Sequence, residues 1–188
     1  MRGWFSAVLC SAWLVSNVSA ATPDKSHDGG FRIRTQGPRA TVALRDGMAR
    51  SETVRALVDR IESSNVFVYV SVSPFIKPSL SGQLTWMTQA GPDRYLRATL
   101  STDQTSDQLI ASLAHELQHA VEVVDDDLVV SEKTLVALYQ RIGHPSRAVA
   151  NRGWETVAAQ ETGYRVRREL VESTGMTMAT RRFDFDHL

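Results

Sequence analysis

Apolar residues recur along this chain with two different periods, and the change from one to the other divides it. From Ser51 to Ile61 they fall at Val54, Leu57, Val58 and Ile61, a helical spacing with Ser51 as its cap. Val66–Ser73 is β-branched and aromatic and is stopped by Pro74, which predicts a strand. Leu84–Thr88 and Arg94–Leu100 flank the turn-rich Gln89–Asp93 and predict a hairpin. In its second arm Leu96, Ala98 and Leu100 alternate with Tyr95, Arg97 and Thr99, so one face is expected to be buried. A short strand is also expected at Thr41–Leu44. The helical period then takes over. Thr105–Val124 opens with Thr105 and Gln108 placed as a capping box. Ser131–Ile142 is the next helix. After a loop containing Gly143, Pro145 and Gly153, a last helix is expected over Trp154–Val171. A mostly β front half and a helical back half predict an α+β fold, with a small, mostly antiparallel sheet in a single domain over residues 41–175. Residues 21–40 read as a flexible lead-in, and 176–188 as a C-terminal tail without pattern.

The first twenty residues follow a different rule. Arg2 is the only charge before Asp24, an apolar run follows from Trp4 to Val15, and Val18-Ser19-Ala20 places small residues at −3 and −1 of a cut after Ala20. This is the layout of a secretory signal peptide, and it predicts export to a bacterial periplasm or the exterior, with no stable membrane association after cleavage. The cut removes Arg2 and Cys10, the one cysteine of the 188-residue chain. It leaves 20 Lys+Arg against 21 Asp+Glu, because the full chain has 21 of each. A near-neutral chain without a basic stripe argues against nucleic acid as a partner. With no cysteine left, a metal can be held only by His, Asp or Glu.

The chemistry gathers at His115-Glu-Leu-Gln-His119. His115 and His119 are one helical turn apart, so both imidazoles leave the same face and can converge on one ion. In the HExxH arrangement Glu116 is placed to act as general base on a water that the metal activates. In helical projection Leu109, Leu113, Leu117, Ala120 and Val124 form the apolar face, with Gln108, Ser112, His115 and His119 opposite and Glu116 towards the edge. A third ligand must come from elsewhere. Asp125 stands six residues after His119, where a long metzincin motif would have histidine. Glu122 shares the histidine stripe but lies about 7 Å along the axis from the pair. His144 follows a glycine in a loop. Glu161 projects with Arg165 and Arg168 on a charged face. Glu155 shares a stripe with Ala159, Thr162, Val166 and Leu170, a face expected to turn inward, where a carboxylate is costly unless paired or bound to metal. Glu155 is therefore the preferred third ligand. The acidic run Asp125–Asp127 reads as a solvated loop rather than a calcium site.

HELQH on one helix with a glutamate further on resembles the gluzincin-type zinc metallopeptidases. In order of elements the resemblance covers residues 66–171; in specific motif it covers 115–119. It implies a zincin-like fold, one Zn2+ held by His115, His119 and Glu155, and Glu116 as catalytic base. Glu155-Thr-Val-Ala158 is similar to the Glu-x-x-Ala of several such families. Many members place an aspartate four residues after that glutamate to orient a histidine; here that residue is Ala159. Tyr139, His144 and Tyr164 are open candidates for a transition-state donor. The resemblance further implies a polypeptide substrate, held in extended form by addition to an edge strand at Arg94–Leu100, just before the metal helix. An inactive zincin-like protein that binds peptide or serves the envelope structurally is the alternative.

Overall fold

The computed structural model describes residues 31–77, 79–146 and 153–185, with side chains as far as residue 175; the expected signal peptide lies outside the described residues. The chain begins with β1 (Ile33–Gln36), α1 (Pro38–Arg50), α2 (Glu52–Glu62) and β2 (Val66–Ser73). A hairpin follows, β3 (Gly82–Ala90) and β4 (Asp93–Ser101). The helical half holds α3 (Ser106–Val124), α4 (Glu132–Ile142), a two-residue ladder of β5 (His144–Pro145) and β6 (Trp154–Glu155), and α5 (Val157–Phe185).

The α+β class holds, but the sheet is mixed rather than mostly antiparallel. Its order is β1-β2-β4-β3. β1 and β4 both run parallel to β2, and only the β3–β4 hairpin is antiparallel. Connectivity is the reason. Two helices separate β1 from β2, a crossover that returns the chain in the same direction. β3 then takes the outer edge, and β4 turns back to fill the place beside β2. The edge strand on this side is therefore β3, while β4 is internal.

Two expectations at the N-terminal end are corrected. Residues 33–40 do not form a flexible lead-in: β1 pairs with β2, and the Glu62 carboxylate accepts from the backbone N–H groups of Arg32 and Ile33 at 2.9–3.1 Å. Thr41–Leu44 is not a strand but part of α1. Gly37, at φ 86°, turns the chain from β1 into that helix, and Pro38 opens it. The buried face of α1 is Ala40, Ala43 and Gly47, small residues that let it approach α3 but give no hydrophobic period to read.

The starts of α2 and α3 are set by local chemistry as expected, whereas α5 begins at Val157 rather than Trp154 and runs to Phe185, through residues 176–185 that were expected to belong to a patternless tail. Ser51 accepts from Val54 N–H at the start of α2, and Thr105 and Gln108 form the capping box of α3. Each such cap stabilises its helix by about 1 kcal/mol. Helices α1, α2 and α3 contact one face of the sheet, and α5 packs on α3 from beyond it. The core between them holds Val54, Ile61, Val66, Val68, Val70, Leu96, Leu100, Leu113 and Leu117, all fully buried. At about 1.5–3 kcal/mol for each buried aliphatic side chain, this core holds α3 firmly in place. Arg94 pins the far end of α3 to β4. It is buried, and its guanidinium donates to Asn65 Oδ1 and to the carbonyls of Val123 and Asp126 at 2.7–3.2 Å.

Candidate metal centre

Sandwiched between sheet and α5, α3 is buried on nearly every side. The polar side opposite the apolar stripe is covered too: Ser112, Glu116 and His119 are buried, and His115 is half-buried. The covering element is α5, whose inward stripe is Ala159, Thr162, Val166 and Leu170. Gly163 lies on this side as well. A Cβ there would stand 3.6 Å from the Ala111 carbonyl and 3.8 Å from His115.

The third residue arrives by a different route from the one expected. Glu155 is not on the last helix. It sits in β6, two residues ahead of α5, paired with His144 across the β5–β6 ladder. Thr156 caps the helix, its hydroxyl accepting from Ala159 N–H at 3.1 Å. That starts the helix two residues after Glu155, yet the carboxylate still reaches the histidines. Glu155 Oε1 lies 3.3 Å from His115 Nε2 and 3.5 Å from His119 Nε2. The two rings are 4.9 Å apart, edge to face. Two ligand atoms each about 2.1 Å from a tetrahedral ion stand about 3.4 Å apart. The spacing of Glu155 from both histidines thus matches the edges of a metal tetrahedron. These three residues could hold a metal ion, their ligand atoms lying within 4.8 Å of one another.

Around this trio the hydrogen bonds form a closed set. His119 Nδ1 lies 2.8 Å from Glu122 Oε2. The other oxygen of Glu122 accepts from the Thr156 hydroxyl at 2.6 Å, and the Thr156 N–H donates to Glu155 Oε1 at 2.9 Å. With Nδ1 donating to a carboxylate, His119 presents Nε2 towards Glu155, the tautomer a metal requires. Sequence reasoning considered Glu122 only as a third ligand and missed this role. The usable signal was its position three residues after His119, on the same helical stripe. Tyr139 fixes His119 from behind, stacking edge to face at 5.2 Å and donating its hydroxyl to the His119 carbonyl at 3.1 Å.

Electrostatics follow from this packing. Burial works against the charge of His119, but its hydrogen bonds to Glu122 and Glu155 outweigh that and raise its pKa to about 10. Burial likewise opposes ionisation of Glu155, yet the hydrogen bonds to His115 and His119 hold its carboxyl well below the usual carboxylate range. Glu116 is only 4% exposed. Burial pushes its carboxyl above the ordinary range, against the pull of the two histidines. Its oxygen lies against Gly82, where an added Cβ would fall 2.5 Å from Oε1. Glycine is what lets β3 pass this close to the carboxylate.

The other candidates stand apart. Asp125 caps the end of α3 and pairs with Arg60, Asp126 pairs with Arg141, and Asp127 lies 3.7 Å from Arg94. Three arginines therefore share the acidic run. Glu161 is exposed on α5, and the exposed His144 is outside the converging group. Of the possible donors, Tyr139 already has its hydroxyl on a carbonyl, while Tyr164 is 64% exposed on the cleft wall.

Comparison with known proteins gives no match: no family model, curated protein or solved structure is similar to this chain. The site is therefore read from its own geometry. It opens onto a cleft with two arms of about 310 and 320 Å3 that meet at His115, Glu116 and Glu155. One arm follows β3 from Gly82 to Trp86 and is walled by Leu135, Tyr139 and Trp154. The other passes Ser79–Gly82 on one side and Gln160, Gly163, Tyr164 and Arg167 of α5 on the other.

Proposed function

We propose that this chain is an exported, zinc-dependent peptidase of zincin-like architecture that cleaves extended polypeptide. The observation that carries the reading is the convergence of Glu155 Oε1 on both histidine Nε2 atoms at 3.3 and 3.5 Å, with the Glu116 carboxylate buried beside them. Two imidazoles and one carboxylate suit zinc, and three protein ligands are the usual complement of a catalytic zinc site. When bound, zinc supplies Lewis acidity, polarising a carbonyl and acidifying water.

The chain's own residues supply the rest. Glu116 sits where burial raises its proton affinity. It serves as general base and then returns the proton to the leaving amine. Glu122 and Thr156 hold His119 and Glu155 in register. The substrate lies along β3, the edge strand, whose Gly82–Trp86 line one arm of the cleft. An exposed strand edge offers a row of backbone donors and acceptors to an extended chain and is indifferent to its side chains. The signal-like first twenty residues support an envelope or extracellular setting. A direct test incubates the protein with a denatured polypeptide before and after chelation. Cleavage should cease with the metal removed and return on adding zinc; cleavage untouched by chelation would end the reading. Zinc retained without any cleavage would point instead to an inactive, peptide-binding relative of such enzymes.

A further inference from the structure

The two arms of the cleft differ in chemistry, and the difference bears on substrate choice, resting on the peptidase reading above. The arm along β3 is walled by Leu84, Trp86, Leu135 and Trp154, with Lys77 and Glu132 also lining it. The other arm carries a cation, Arg167, on α5. Arg167 is exposed, and its guanidinium carbon lies 5.9 Å from the centre of the Tyr164 ring. No carboxylate lies within ion-pair reach of it among the described residues. Gln160, Tyr164 and Arg167 fall at i, i+4 and i+7, so they share the face of α5 that lines this arm.

Strand polarity says which end of a substrate meets that face. Antiparallel pairing is slightly the more stable ladder. A peptide added antiparallel to β3 has its N-terminal part beside Trp86 and its C-terminal part leaving past Gly82. Glu116 faces Gly82, so the scissile bond lies there, and the residues after it enter the arm that holds Arg167. A Cβ on Gly163 would stand 3.8 Å from His115, and Arg167 is one turn further along α5, a rise of about 6 Å. Extended peptide advances about 3.3 Å per residue. Arg167 is therefore reached by the second residue after the scissile bond.

We propose that Arg167 is a specificity-determining residue that binds a substrate carboxylate about two residues beyond the scissile bond. Two sources offer that chemistry: the free C-terminus of a chain cleaved two residues from its end, and an acidic side chain at the same position. Guanidinium and carboxylate pair through two parallel charge-assisted hydrogen bonds, with the Tyr164 hydroxyl and Gln160 amide close by on the same wall.

The test measures binding to the Glu116→Gln protein with zinc in the buffer, so that turnover does not interfere. Three versions of one peptide are compared: free C-terminal acid, C-terminal amide, and the amide with aspartate at the second position after the expected cut. Either carboxylate should bind about tenfold more tightly than the plain amide, and which one does identifies the source. Arg167→Gln should erase the preference, and Arg167→Lys should keep only part of it. Arg167 is exposed, so both variants should unfold at the wild-type temperature. Equal binding of the three peptides, or a preference that survives Arg167→Gln, overturns the proposal. An Arg167-dependent preference in a protein whose wild type cleaves nothing would sustain it and sink the peptidase reading. Cleavage without such a preference would do the reverse.

Discussion

Removing the carboxylate of Glu122 probes the shell that positions the metal site without touching a ligand. Its two oxygens hold the Nδ1 of His119 at 2.8 Å and the hydroxyl of Thr156 at 2.6 Å. Both Glu122 and His119 side chains are less than a tenth exposed, so water cannot easily replace the lost partner. Glu122→Gln keeps the shape: its amide oxygen can still accept from Nδ1, and its NH2 can donate to Thr156, so what is lost is charge. Glu122→Ala strands both groups. Outer partners of ligating histidines are worth 10- to 100-fold in metal affinity. We therefore expect about 10-fold weaker zinc binding for Glu122→Gln and about 100-fold for Glu122→Ala, the latter about 2.7 kcal/mol. Zinc affinity is read by competition with a chromophoric chelator at fixed pH, and circular dichroism of the metal-free variants confirms the fold. Wild-type zinc affinity in a folded Glu122→Ala protein would refute the orienting role.

Further outcomes follow from the same contacts. His119 has its pKa raised to about 10 in the metal-free protein, so it is protonated at neutral pH and must lose that proton to ligate; Glu155, held low, has none to lose. Zinc affinity should thus rise about tenfold per pH unit between pH 6.5 and 9, with proton release seen by calorimetry in buffers of different ionisation enthalpy; a flat profile would contradict it. The same shift makes the metal-free protein depend on pH with a definite sign. Its folded pKa exceeds the unfolded value of about 6.5, so this contribution to stability is complete below pH 6.5 and fades as pH climbs through 10. Gly82→Ala places a methyl 2.5 Å from Glu116 Oε1; peptide turnover should fall at least tenfold while zinc content stays at the wild-type level. Arg94→Ala removes four hydrogen bonds that join β4 and Asn65 to the end of α3; it should cost about 3 kcal/mol in urea unfolding, and a loss under 1 kcal/mol would show the staple to be dispensable.

What could be read in advance divides along physical lines. Elements whose apolar residues keep a clean period were legible almost to the residue: β2 spans Val66–Ser73 as expected, and α3 ends at Val124. Caps helped because a Ser or Thr side chain satisfies its helix locally, whatever the tertiary context. β1 and α1 were lost for the opposite reason. β1 buries Ile33 alone, and α1 presents alanine and glycine, so their placement depends on partners distant in sequence. Strand direction was also hidden, because hydrophobic alternation is the same in parallel and antiparallel ladders. At the site, His115, Glu116 and His119 declare themselves by spacing on one helix. Glu155 was picked out by extending the inward stripe of α5 one turn too far, and the cap at Thr156 shows that the extension fails. The residue converges with the histidines all the same, carried by a two-residue strand that no local pattern announces. Glu122 was visible in sequence but not in role, since its bond to Thr156 joins residues 34 positions apart.

The central claim is that the buried Glu116 moves the proton in peptide hydrolysis at a zinc site formed by His115, His119 and Glu155. It is tested most directly by the turnover of one unfolded polypeptide by wild type and by Glu116→Gln at equal, measured zinc content. The account predicts one zinc per chain in both proteins and a rate at least 100-fold lower in the variant. Equal rates at equal zinc, or a wild-type protein that binds no zinc, would contradict it.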